Sequence, residues 1–306
     1  MSIHEKAPWQ GWSRWCAVEL RFRAESLRLL LDDGQAFRWH FLDEGWWVGC
    51  WSHYLVALRL DSEGALEWSA PEKVEREMVG ALHDYLAMGM EWERAVDSLP
   101  WRSDPHLRSC VEFAPGLRLL NQPFGETLLC FLCSATKQIP QIKVMTELMA
   151  SSLGAAPQWE VPEACSGLSL QCHALPTWER LATASEEQLR ACKLGFRAAN
   201  VVGCAKQIAQ TPGWLERVEQ LPYAEAKLHL MSLPGVGEKI ADCVLLYGGG
   251  KLEAFPVDTW IIKVMSRHYG LEGWKPESIA HFGRVHFGNH AGLAQQFLFN
   301  FERNTT

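Results

Sequence analysis

The sequence predicts an α+β chain in which an N-terminal antiparallel sheet domain precedes a mostly α-helical domain. Three observations carry that expectation. Apolar and polar residues alternate between positions 16 and 70, as in Ala17-Val18-Glu19-Leu20-Arg21-Phe22 and Trp46-Trp47-Val48-Gly49-Cys50-Trp51, the period of a half-buried strand. From Pro71 onward the apolar residues recur every three or four positions, the period of a helix with one buried face. Late in the chain, Leu233-Pro234-Gly235-Val236-Gly237 separates two helical patterns, 224–231 and 238–247, and reads as a tight turn between antiparallel helices.

Taken in order, Asp32-Asp33-Gly34 and Asp43-Glu44-Gly45 punctuate the alternating region as turns, so 16–70 reads as one antiparallel sheet. Helical patterns come next over 72–90, 103–113, 126–135, 142–152, 186–192 and 197–210. Residues 154–175 are rich in Gly, Pro, Ala and Ser and read as a long loop. Asp258 stands before the helical pattern 259–269, at an N-cap position. The expected division is a sheet domain with helices over 1–115 and an all-helical domain over 116–306.

The 306 residues are 48% hydrophobic, enough to bury a large core. No apolar run approaches the roughly 20 residues that span a bilayer, and the first twelve residues lack a cationic head with an apolar stretch behind it. An intracellular monomer is the expectation. The net charge of -7 is unevenly placed: residues 1–115 hold 12 basic against 19 acidic side chains, and the remainder 17 of each. The half with the hairpin is thus not repelled by a polyanion. Ten irregularly spaced cysteines fit reduced core thiols. Cys130 and Cys133 fall inside an apolar helical pattern, which explains them better than a zinc set with Cys165, Cys172 and His173.

Chemistry concentrates in the hairpin and the helix after it. Gly235 and Gly237 let backbone amides approach a ligand closely, and these amides open onto a helix N-terminus, where unpaired N–H groups favour a phosphate. Lys239 falls in the first turn of that helix beside the apolar residues Ile240, Ala241, Val244 and Leu245. An amine against an apolar wall loses hydration, which favours its neutral, nucleophilic form. Taken alone, Lys239 is an ordinary surface lysine and Asp258 an ordinary cap.

Together, the Pro-Gly-Val-Gly turn, the lysine two residues on and the Val-Asp nineteen residues later resemble the helix-hairpin-helix, Gly/Pro-Asp DNA glycosylase superfamily. Lys239 resembles the nucleophile of its bifunctional branch, whose amine displaces a damaged base and leaves a Schiff base that permits strand cleavage. Asp258 resembles the carboxylate that stabilises the cationic sugar. No cysteine follows Cys243, so the four-cysteine iron–sulfur cluster of some branches is absent. The resemblance implies no cofactor, no side-chain metal site, and at most an ion on the hairpin carbonyls.

A sheet domain ahead of such a helical domain is similar to the layout of the 8-oxoguanine DNA glycosylases, and further segments agree. Gly34-Gln35-Ala36-Phe37-Arg38-Trp39 resembles the segment whose glycine carbonyl accepts the ring N–H that only oxidised guanine carries. Gln295 and Phe299 resemble the residues that read and stack on the base, with Cys243 on its other face. Phe196 resembles the aromatic wedge beside the opposite base and Arg197 the arginine that bonds it. Thr136, Lys137, Gln138 and Gln141 stand where the family has asparagines and an arginine, a departure that weakens the case for strict cytosine selectivity. Trp260 replaces a histidine usual in the eukaryotic enzymes. The resemblance implies double-stranded DNA containing 8-oxoguanine as partner, base excision repair as function, and a glycosylase with AP-lyase activity. Two other readings stay open: a glycosylase of the same machinery for alkylated bases, and a noncatalytic hairpin that only grips DNA.

Overall fold

A computed structural model describes residues 6–166 and 172–305. Five strands, β1 (Cys16–Arg21), β2 (Trp39–Phe41), β3 (Trp47–Trp51), β4 (Tyr54–Leu60) and β5 (Ala65–Ser69), form one antiparallel sheet in the order β1-β5-β4-β3-β2. Short turns join β2 to β5 consecutively, which is why neighbours in sequence are neighbours in the sheet. β3 and β4 are buried on both faces.

One stretch of the alternating region is not strand. Residues 24–32 form helix α1 (Ala24–Asp32), because Leu27, Leu30 and Leu31 recur at helical spacing and pack on the sheet. Leu29, on the other side, joins the helical core instead. Helix α2 (Glu75–Tyr85) covers the same face with Met78, Leu82 and Tyr85. It stops short of residue 90, and Ala87 turns the chain with a left-handed φ of 47°. The opposite face carries Trp9, Trp12, Trp15 and Trp46, in edge contacts 4.7 to 5.7 Å apart, with the Arg59 guanidinium 4.2 Å over Trp15. Sheet packing thus accounts for much of the tryptophan content.

The rest is helical: α3 (Trp92–Asp97), α4 (Pro105–Phe113), α5 (Phe124–Leu132), α6 (Ile139–Leu153), α7 (Glu163–Ser166), α8 (Trp178–Ala182), α9 (Glu186–Ala191), α10 (Arg197–Ala209), α11 (Trp214–Gln220), α12 (Tyr223–Met231), α13 (Glu238–Tyr247), α14 (Thr259–Tyr269), α15 (Pro276–Phe287) and α16 (Ala291–Thr305). Helix α7, a single turn, interrupts the expected long loop. Helices α3 and α4 share their buried core with the C-terminal helices. Helix α16 closes the chain against the N-terminal half, where Asn304 donates to Asp33 at 3.0 Å, Arg303 pairs with Asp33, and Arg28 donates to Asn304 at 2.9 Å. These bonds hold the turn after α1 against α16.

Candidate active site

The hairpin between α12 and α13 is shaped by what its residues touch. Gly235 has φ +76°, and a Cβ there would lie 2.2 Å from Asn200 Nδ2 and 2.9 Å from Asn200 Cβ. Pro234 packs on Gly203, the thiol of Cys204 donates to the Pro234 carbonyl at 3.2 Å, and Val236 is buried. Gly237, the N-cap of α13, is exposed with nothing within 4 Å of its missing Cβ. The first-turn amides of α13 therefore open to solvent on a free face, as anion binding requires.

Lys239 occupies the second position of α13. Its Nζ donates to Ser134 Oγ at 3.1 Å and lies 5.3 Å from the centre of the Phe131 ring. Asp258 caps α14 by accepting from the amides of Trp260 and Ile261 at 3.0 and 2.9 Å, both on Oδ1, which leaves Oδ2 for another partner. Burial pushes the Asp258 carboxyl above the usual range, opposed by the Ile261 amide and the positive charge of Lys239. Cys243, one turn after Lys239, has its thiol pushed up to about 12 by burial and stays protonated. A buried, protonated thiol is a poor rival nucleophile.

A second group lies where the turn after α1 meets α16. Gly34 has φ +95°, and a Cβ there would come within 3.2 Å of the Phe299 ring and 3.4 Å of Ile139 Cδ1. Lys143 of α6 pairs with Asp32 at 2.7 Å and fixes the same turn. Gln295 is buried beside Tyr247, whose hydroxyl lies 3.4 Å from Gln295 Oε1 and donates to Gln296 Oε1 at 2.6 Å. Gln296 in turn donates to Asn300 at 2.9 Å. The Tyr247 ring stacks on Phe131, centroids 5.6 Å apart, so one aromatic pair links the amine of Lys239 to the amides of α16.

The third group faces outward. Phe196 is 60% exposed, and an apolar ring left in water at a helix start is not core packing. Arg197 beneath it is only 3% exposed, with its guanidinium 4.3 Å from the Phe196 ring. It donates to the carbonyls of Leu194 and Ala135 and to Thr136 Oγ1, the last at 2.8 Å. Thr136 holds a left-handed φ of 55°, a strained state for a β-branched residue, which Arg197 stabilises. Arg197 thus braces the loop with the donors that the resemblance assigned to an opposite base. Gln138 and Gln141 are exposed and Lys137 partly so; the Gln138 amide donates to Gln141 Oε1 at 3.2 Å, which caps α6. Trp260 packs under Lys263, 4.4 Å from its ring.

Sequence reasoning missed Ser134, Phe131, Tyr247 and Ile139. The one legible signal was Ser134, a lone hydroxyl closing the apolar run of α5. The cysteines weighed for zinc are split, Cys130 and Cys133 in the helical core, Cys165 and Cys172 in the tryptophan cluster on the sheet.

Comparison with other proteins decides the lineage. The profile of the 8-oxoguanine DNA glycosylase N-terminal domain matches residues 19–128, and that of the HhH-GPD superfamily base excision DNA repair proteins matches residues 142–284. The chain belongs to the 8-oxoguanine DNA glycosylase family. Within this family it is 27% identical to the N-glycosylase/DNA lyase OGG1 of Arabidopsis thaliana, over 97% of this chain and 82% of that protein. It is also 27% identical to the N-glycosylase/DNA lyase of Saccharomyces cerevisiae, over 80% of this chain and 69% of that one. The fold of the glycosylase superposes on the 8-oxoguanine glycosylase/lyase of Clostridium acetobutylicum, solved with double-stranded DNA containing cytosine opposite 8-oxoG, with TM-score 0.83 and 27% identity over 96% of this chain and 99% of that one. The 3-methyladenine DNA glycosylase of Archaeoglobus fulgidus shares the fold, with TM-score 0.72 at 20% identity.

Proposed function

We propose that this chain excises 8-oxoguanine from duplex DNA and then nicks the strand, with Lys239 as nucleophile and Asp258 as its acid partner. The observation that carries the reading is the placement of the Lys239 amine: fixed by one hydroxyl, over an aromatic face, within the field of the Asp258 carboxylate, beside an open anion-binding turn. Each group then has one task. Hairpin amides hold a backbone phosphate while the damaged nucleotide leaves the stack, and Phe196 wedges beside the opposite base. Gly34, Cys243, Gln295 and Phe299 enclose the base.

In the chemical step the neutral amine of Lys239 forms a bond to C1′ as the bond from C1′ to the base nitrogen breaks, and the base departs with that electron pair. Positive charge grows on the sugar during this exchange, and a fixed carboxylate stabilises that charge more in the transition state than before it. Loss of the amine proton and ring opening give a Schiff base; removal of a C2′ proton then expels the 3′ phosphate. Such an enzyme works where the DNA is kept, and ten free thiols suit a reducing compartment. Incision of duplexes carrying 8-oxoguanine, 3-methyladenine or no lesion tests the assignment: the account expects cleavage at 8-oxoguanine alone, and preference for the alkylated base would reassign the substrate.

A further inference from the structure

We infer that Ser134 is a positioning residue for the nucleophile: its hydroxyl fixes the Lys239 amine so that the lone pair exposed on deprotonation points at the sugar. The inference rests on the assignment of Lys239 proposed above. Ser134 comes just after the last turn of α5, and its Oγ donates to the Phe131 carbonyl at 2.7 Å. With its hydrogen committed there, the oxygen offers only lone pairs to its other neighbour, the Lys239 Nζ at 3.1 Å. This is the amine's hydrogen-bond partner among the described residues.

A lysine head on four carbons otherwise has wide rotational freedom, and reaction at one carbon needs one direction. One N–H bound to a fixed acceptor removes rotation about the last bond. The Phe131 ring beneath the amine restricts it from a second side, and both restraints come from the C-terminal end of α5. The hydroxyl is not needed to satisfy the fold: the Phe131 carbonyl also accepts from the Ser134 amide at 3.0 Å, so removing Oγ leaves no backbone group unpaired.

The test is single-turnover borohydride trapping on an 8-oxoguanine duplex with wild type, Ser134→Ala, Ser134→Thr and Lys239→Gln, with thermal unfolding and DNA affinity measured for each. Ser134→Ala should trap about tenfold more slowly at saturating DNA, with affinity and unfolding temperature unchanged, and Ser134→Thr, which keeps the hydroxyl, should recover most of the rate. Trapping by Ser134→Ala at the wild-type rate would overturn the inference. So would equal losses of rate and affinity in the Ala and Thr variants, which mark a merely structural residue. Absence of any adduct in the wild type would instead overturn the assignment of Lys239 itself.

Discussion

Alanine at Gly237 and alanine at Gly235 should separate phosphate binding from folding. At Gly237 the backbone is extended (φ -96°, ψ -179°), a conformation any residue adopts, and a Cβ would meet nothing within 4 Å. The protein alone should tolerate it, with a change in stability within about 0.5 kcal/mol. A DNA phosphate seated on the first-turn amides of α13 would occupy the space the new methyl takes. Losing one charge-assisted hydrogen bond costs about 1.5–3 kcal/mol, roughly a 10- to 100-fold rise in Kd. At Gly235 the methyl meets Asn200 at 2.2 to 2.9 Å and φ is +76°, so that variant should lose stability as well, by about 1–2 kcal/mol for the backbone conformation alone. Fluorescence anisotropy on damaged and undamaged duplexes, beside urea unfolding, reads both effects. Because phosphate contacts carry no sequence information, Gly237→Ala should weaken both duplexes by the same factor. Wild-type affinity in Gly237→Ala would refute the phosphate-gripping hairpin.

The same geometry fixes three further outcomes. Asp258→Asn should keep the α14 cap yet unfold at a higher temperature at pH 7: a carboxyl whose folded pKa is raised contributes stability present below its ordinary value and lost as pH rises through the folded one, so the gap between variant and wild type should close toward pH 4. Lys227→Met should cost about 3–5 kcal/mol at neutral pH, since it strips the cation at 3.0 Å from the buried carboxylate of Asp242, whose pKa burial already raises against Lys227's pull. That deficit should shrink in acid, where Asp242 takes a proton; a pH-independent deficit in urea melts would count against the assignment. Thr136→Asn with Gln141→Arg should sharpen excision opposite cytosine, Asn also being the better tenant of a left-handed φ, and unchanged ratios across the four opposite bases would show that other residues read that base.

What the sequence made legible is what local rules control. The limits of α13 and α14, the hairpin and the Asp258 cap arise from glycine, capping and the period of apolar residues, and the structure places them at the expected residues. The alternating region reads as strand through 24–32 because three leucines in a row, Leu29 to Leu31, hide their period; packing between two cores makes them helix. Within the candidate site, the sequence singles out residues whose type is itself the chemistry, as at Lys239. What was not legible is which distant residues meet: the hydrogen bond from Lys239 to Ser134 spans 105 residues, and Gly34 and Phe299, each named from the sequence, touch across most of the chain. Arg197 shows the converse, a residue type matching a binding role while its donors lie buried on Ala135 and Thr136.

The central claim is that the amine of Lys239 becomes covalently joined to the sugar. Reduction of the reaction with borohydride, proteolysis and mass spectrometry of the DNA-linked peptide tests it directly. One adduct is expected, on the peptide spanning the start of α13 and absent in Lys239→Gln; an adduct on any other lysine, or one that persists in that variant, would show that Lys239 is not the nucleophile.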